Sequence, residues 1–201
     1  MGGMHAHVIL AAGQGTRMRS RLPKVLHPLL GKPMLLYALE AALALKPERL
    51  VVVVGHGGEK VVEALEGYPV EVAWQKEQLG TAHALLQAEG LLRDFPGPFL
   101  VTQGDTPLLS PRTLEALLRR VREGAGMALL TAELPDPTGY GRILREGEEV
   151  LGNVEEKDAP PEVRAIREVN AGAYARLRPG AVLMEEVQIG RASCRERVHI
   201  R

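Results

Sequence analysis

Apolar residues along the chain fall into two alternating kinds of block. Short continuous runs read as strands: "HVIL" from His7, "RLVVVVG" from Arg49, "PVEVAW" from Pro69, "PFLVTQGD" from Pro98 and "GMALLTAEL" from Gly126. The valine run Val51–Val54 leaves no polar face, so that strand is expected to be covered on both sides. Between the strands lie patterns of helical period. "KPMLLYALEAALAL" repeats apolar positions at Leu35, Leu36, Leu39 and Leu43, with Pro33 at its first turn. "GEKVVEALE" predicts a short helix and "LGTAHALLQAEGLL" a longer one. In "SPRTLEALLRRVRE", Ser110 is placed as N-cap and Pro111 as the first helical residue. Strand and helix in strict alternation predict an α/β fold: a mostly parallel mixed sheet with helices on both faces. From Pro135 the rhythm changes. "PDPTGYGRIL", "EEVLGNVEEKD" and "REVNAGAYA" read as loops and strands with few helices, suited to a wall beside the α/β core.

The end of the chain follows a different period. In "ARLRPGAVLMEEVQIG", Ala175, Ala181 and Val187 form one apolar series, and Leu177, Leu183 and Ile189 another. Both have the spacing of a hexapeptide β-helix rung. Ordering such a rung costs about 1–2 kcal/mol per residue in backbone entropy. Its few apolar side chains return about 1.5–3 kcal/mol each, and only when stacked on neighbouring rungs. A lone rung is therefore expected to be loosely ordered. The final "RASCRERVHIR" is basic, lacks apolar periodicity and resembles a vector-derived tail. The domain reading is 1–174 for the α/β unit, 175–190 for the rung and 191–201 for the tail.

Composition narrows the partners. The 201 residues carry 25 basic and 25 acidic side chains, a formal charge of +0. No bulk field draws the chain to nucleic acid or to a membrane surface. Cys194 is the single cysteine, which leaves no internal disulfide and suits a reducing cytoplasm. No apolar run reaches the roughly 18 residues of a membrane span. The first residues lack the basic leader of a signal peptide.

Candidate chemistry sits where strands end. In "LAAGQGTRM", Gly13 and Gly15 allow close backbone approach to an anion, and Arg17 and Lys24 add charge. The spacing is neither G-x-G-x-x-G nor a Walker loop. A nucleotide-phosphate loop and a tight turn with surface cations both fit. Asp105 ends a buried strand, where a lone carboxylate suits Mg²⁺ that keeps most of its waters. The alternative there is a turn residue ahead of Pro107. Gln75, Gly80 and Thr81 lie at a strand-to-helix corner and offer groups able to read a base edge. "TGYGR", Glu155 and Asn170 offer hydrogen bonds suited to sugar hydroxyls. His56 reads as a loop residue, His83 as packing or surface, and Trp74 as core or pocket wall.

Taken in order, "LAAGQGTRM", "PKVL", "QLGTAHA", the strand-end "GD", "PTGYGRI", "EEKDA" and "VNAG" resemble one family. It is the bifunctional N-acetylglucosamine-1-phosphate uridyltransferase/glucosamine-1-phosphate acetyltransferases, in their N-terminal domain, and the resemblance runs from about Val8 to Tyr174. It implies a Rossmann-like nucleotidyltransferase core and a sugar-1-phosphate nucleotidyltransferase. UTP and N-acetylglucosamine 1-phosphate would give UDP-N-acetylglucosamine and pyrophosphate, for peptidoglycan and lipopolysaccharide synthesis. It implies catalytic roles for Arg17, Lys24 and Asp105, with Asp105 as the Mg²⁺ ligand. Leu10, Ala11, Ala12, Gly13, Lys24, Gln75, Gly80, Thr81, Gln103, Gly104 and Asp105 would hold the nucleotide. Gly141, Glu155 and Asn170 would hold the amino sugar. Gln103 departs from the aromatic or other residue expected there. After "NAGAY" the match breaks. The segment carrying a second Mg²⁺ ligand does not follow, and Arg178 matches an arginine of the distant acetyltransferase site. Impaired turnover, no acetyltransferase activity and a monomer in place of the family's trimer are the resulting expectations. Transfer to another sugar phosphate, and a non-catalytic nucleotide-sugar-binding module, remain the alternatives.

Overall fold

The computed structural model describes residues 3–13, 21–147, 149–177, 194–195 and 198–199. Its centre is strand β1 (Ala6–Ala11), buried along its whole length. It pairs in parallel with β4 (Arg49–Val54) on one side and β6 (Phe99–Gln103) on the other, and β5 (Glu71–Trp74) adds to β4. The valine run explains that central place. Val51–Val54 are each 0% exposed, because both faces of β4 meet helices.

Side-chain alternation sorts the core into two layers. Ile9, Ala11, Val52 and Val54 pack against α1 (Met34–Ala44) through Leu35 and Leu39, and against α2 (Glu59–Ala64) through Val61. Val8, Leu10, Val51 and Val53 point the other way, onto Ala84, Leu85 and Ala88 of α3 (Thr81–Leu92). Helix α4 (Pro111–Arg122) buries Leu114, Leu117, Leu118 and Val121 against Leu100, Ala128, Leu130 and Ala173. Its start matches the expected cap: Thr113 N donates to Ser110 Oγ at 3.2 Å, with Pro111 in the first turn.

The second half of the sheet is antiparallel. Strand β10 (Glu168–Arg176) inserts between β6 and β7 (Met127–Glu133) and runs antiparallel to both. Strands β8 (Arg142–Glu146) and β9 (Glu149–Val154) form a hairpin reached through the pair Val169 and Arg142. Register shifts between Asn170 and Tyr174, where Gly172 adopts a φ of +78°. This bulge lets the front of β10 serve the hairpin while its end closes the core. The strand continues past Tyr174: Ala175 is fully buried and pairs with Leu100 and Ala128. A small hairpin, β2 (Pro28–Leu29) with β3 (Lys32–Pro33), precedes α1. Helix α5 (Pro161–Arg164) packs near β8.

Leu177 of the second hexapeptide series is 45% exposed, and the series from Ala181 onward lies outside the described residues. Within the stretch expected to be a tail, β11 (Cys194–Arg195) pairs with β9 and β12 (Val198–His199) with β7. Trp74 differs from expectation. It is 43% exposed, as the last residue of β5, a four-residue strand at the edge of the sheet. Among the described residues no helix is long and apolar enough to cross a membrane.

Candidate nucleotide cleft

Strands β1, β4, β5 and β6 end on the same edge of the sheet, with Ala11 opposite Val54 and Leu10 opposite Gln103. In an open α/β sheet that edge is where ligands bind. An open cleft of about 180 Å³ lies there, lined by Leu10 of β1, Ala12 and Gly13 just after it, Gln75 and Gly80 from the strap after β5, Thr81 of α3, and Gln103 of β6. All of these were expected from the sequence. Gln78 and Ala84, also in the lining, were not.

The walls are held by close backbone approaches. Gln78 Nε2 donates to the Ala12 carbonyl at 2.6 Å, tying the 75–80 strap to the end of β1. A Cβ at Gly55 would lie 2.5 Å from the same carbonyl oxygen and 2.8 Å from Gln78 Nε2. Gly80 caps α3 at φ +99°, a conformation strained for any residue with a side chain. The buried Gln75 amide is fixed from two sides. Its Nε2 donates to the Gly80 carbonyl at 3.1 Å and to His83 Nδ1 at 3.0 Å.

Two residues expected to hold the nucleotide send no side chain into the cleft, which leaves only their backbone to meet a ligand. The Ala11 methyl belongs to the α1–α2 core, since alternate residues of a strand point to opposite faces. Gly104 is buried, donating its N–H to Leu10 O at 2.9 Å. A Cβ there would press on Val25 at 3.0 Å and Leu35 at 3.2 Å. Arg17, and the loop around Gly15, lie outside the described residues.

Lys24 and Asp105, separated by 81 positions in sequence, meet directly. Lys24 Nζ donates to Asp105 Oδ2 at 2.6 Å, with side chains 44% and 28% exposed. Lys24 stands on a single 3₁₀ turn, Lys24–Leu26, anchored by buried Val25 and Leu26. Asp105 follows β6 in a turn closed by Thr106 Oγ1 donating to Gln103 O at 2.9 Å. Among the described residues no three His, Cys, Asp or Glu side chains gather as a metal cage. A single partly exposed carboxylate does fit Mg²⁺ that completes its shell with water and ligand phosphates.

The second group, Gly141, Glu155 and Asn170, is also contiguous. Asn170 N donates to Gly141 O at 3.0 Å, and the Asn170 amide oxygen accepts from Gly172 N at 2.8 Å across the bulge. The Asn153 amide packs directly on the Gly141 Cα, leaving no room for a side chain there, and its Nδ2 donates to Glu155 Oε1 at 2.9 Å. Gly172 brings this group to the cleft, since a Cβ on it would stand 3.3 Å from Gln103 Cγ. Arg142, part of the "TGYGR" stretch, is committed inward. At 2% exposed it donates to the carbonyls of Tyr140 and Arg164, and its Nη2 lies 2.7 Å from Glu156 Oε2. It clamps the loop and offers nothing to a ligand.

Comparison with known proteins bears on all of this. A family model for the MobA-like NTP transferase domain matches residues 7–167. The chain is 55% identical over 171 residues to the bifunctional protein GlmU of Syntrophotalea carbinolica, covering 85% of this chain and 37% of that protein. It is 54% identical over 171 residues to the GlmU of Pelotomaculum thermopropionicum, covering 84% and 37%. The GlmU of Brevibacillus brevis is 53% identical over 176 residues, covering 87% and 38%. The chain thus spans little more than a third of these relatives. Among solved structures, a UDP-glucose pyrophosphorylase complexed with UDP-glucose superposes with a TM-score of 0.72 at 23% identity, over 87% of this chain and 76% of that one. The inositol-1-phosphate CTP transferase of T. maritima also gives 0.72, at 19% identity over 98% and 78%. At those identities the likeness speaks for the fold.

Proposed function

The chain belongs to the MobA-like NTP transferase domain family, and from that membership we propose that it transfers the uridylyl group of UTP to N-acetylglucosamine 1-phosphate, giving UDP-N-acetylglucosamine and pyrophosphate. One observation carries the reading. Residues matching the uridyltransferase motifs, from Leu10 to Gln103, are scattered over more than ninety positions and yet share a single cleft. Identity of 54–55% to GlmU proteins, over 37% of their length, supports the same choice of base and sugar.

In this reading the base enters between Leu10 and the Gln75–Gly80 strap. The triphosphate runs past Gly13 toward Lys24, with Arg17 as a further cation. The amino sugar lies against Gly141, Glu155 and Asn170. A phosphate oxygen of the sugar phosphate attacks the α-phosphorus of UTP in line, that P–O bond forms, the bond to the β-phosphate breaks, and pyrophosphate leaves. Such a transfer needs positioning and neutralised charge more than covalent help. Mg²⁺ held by Asp105 would supply charge neutralisation at the phosphates. Lys24, released from Asp105, is placed to meet the triphosphate. Gln75 orients the base, and Glu155 and Asn170 orient the acceptor. The reaction belongs to the cytoplasm, where its nucleotide substrate resides.

The test is pyrophosphate release by the chain with UTP, N-acetylglucosamine 1-phosphate and Mg²⁺. UDP-N-acetylglucosamine is the expected product. Faster turnover with another nucleoside triphosphate, or with glucose 1-phosphate, would overturn the substrate assignment.

A further inference from the structure

We propose that His83 is a positioning residue for base selection, its unprotonated Nδ1 and the Gly80 carbonyl together locking the Gln75 amide so that Oε1 faces the cleft. The inference rests on the uridine reading above and adds the device that enforces it.

The argument is one of donors and acceptors. The Gly80 carbonyl can only accept, so the Gln75 atom 3.1 Å from it is the amide nitrogen. That same nitrogen lies 3.0 Å from His83 Nδ1, which must therefore accept as well. An imidazole whose Nδ1 accepts carries its proton on Nε2. Both hydrogens of the Gln75 amide are then used. No described residue donates to its oxygen, and Gln75 lines the cleft while being only 3% exposed. Gln87, one turn along α3, donates one amide hydrogen to the His83 carbonyl at 3.0 Å, and its nitrogen stands 3.4 Å from His83 Nε2, at the long limit of a hydrogen bond. The shorter contact, from Gln75, sets the tautomer.

A lone acceptor on the base-reading wall discriminates. Uracil presents an N3–H that can donate to it. Cytosine presents an N3 lone pair, which would leave two acceptors opposed. Rotating the Gln75 amide would suit cytosine, but would turn its oxygen onto the Gly80 carbonyl and the His83 Nδ1 lone pair. A site whose buried polar groups have fixed roles rejects the analogue that cannot match them. The sequence alone marks His83 only as a helix residue, because its partner Gln75 sits across the strap.

Two measurements test this. In the nucleotide-free chain, ¹⁵N NMR should show His83 as the Nε2–H tautomer. An Nδ1–H ring overturns the lock whatever nucleotide the protein uses. In titration calorimetry with Mg²⁺, the chain should prefer UTP to CTP. His83→Leu should shrink that ratio by roughly five- to tenfold, the worth of one neutral hydrogen bond, through weaker UTP binding and unchanged or tighter CTP binding. His83→Asn, which can offer Oδ1 where Nδ1 stood, should restore the ratio. An unchanged ratio in His83→Leu, or an equal loss for both nucleotides, overturns the proposal while leaving the uridine reading standing. A wild-type chain indifferent to UTP and CTP overturns that reading, and the lock with it.

Discussion

The Lys24–Asp105 pair shows how one contact can mean little for stability and much for chemistry. Both side chains are partly exposed, and such a pair contributes about 0–1 kcal/mol to folding. Lys24→Met should therefore move the melting temperature by at most a few degrees. Transfer should suffer far more, since losing one preorganised charge at a developing phosphate costs roughly 10²–10³ in rate. Steady-state kcat/KM beside a thermal melt separates the two effects. Melting and activity falling together would make the pair structural. Asp105→Asn should abolish the Mg²⁺-dependent thermal shift given by UTP while leaving the metal-free melt near wild type. A retained Mg²⁺ dependence would move the metal away from Asp105.

At the scale of elements, the glycines divide by what surrounds them. Gly55 at the end of β4 touches the Ala12 carbonyl and Gln78, and a Cβ there would lie 2.5 Å from backbone. Overpacking of this kind costs about 1–3 kcal/mol. Gly55→Ala should lower the melting temperature and weaken nucleotide binding together, because it pries the 75–80 strap off β1. Gly90 in α3 has nothing within 4 Å of an added Cβ. Gly90→Ala should stabilise by about 0.5–1 kcal/mol through the helix alone, without touching binding. A melt showing the same sign for both variants would refute the contrast. This division also marks what the sequence could reveal. The valine strand, the Ser110–Pro111 cap and the strand-end residues were legible, because local period, cap chemistry and the edge rule of α/β sheets act over a few positions. Gln78, His83, Asn153 and the inward turn of Arg142 were not. Their partners lie across the strap, the hairpin or the sheet, as Gln78 does from Ala12, 66 positions away. Trp74 failed for a related reason: burial depends on whether a strand lies at the edge, and its own residues do not say so.

At the scale of the whole molecule, the sheet is two units sharing a core. The parallel half carries the cleft, the antiparallel half carries the Gly141 group, and β10 joins them beside β6. His7 sits in the middle of this arrangement, on β1, opposite Leu50 of β4 and Leu100 of β6. It is 0% exposed; its Nε2 shares a 2.8 Å hydrogen bond with Thr102 Oγ1, while Nδ1 has no partner among the described residues. Burial, with His5 adding a lesser push, holds its pKa down to about 3 from an ordinary 6.5. The folded chain keeps His7 neutral through a range in which the unfolded chain takes up a proton. Its contribution is therefore fully present above pH 6.5 and is lost as pH falls toward 3. The limiting slope is about 1.36 kcal/mol per pH unit, or roughly 3–5 °C in melting temperature for a chain of this size. His5, shifted the same way by its own burial, steepens the curve. Because β1 pairs on both sides, exposing His7 means opening the sheet, so the effect belongs to the global melt and not to local fraying. Carboxylates add their own acid sensitivity mainly below about pH 5, which leaves pH 5–6.5 as the window in which histidine dominates. Melts across that window should fall steadily for the wild type. His7→Gln, which cannot titrate, should be less stable at pH 8 yet flatter between pH 6.5 and 5. Parallel curves for the two proteins would show that the central histidine is not what ties the fold to neutral pH.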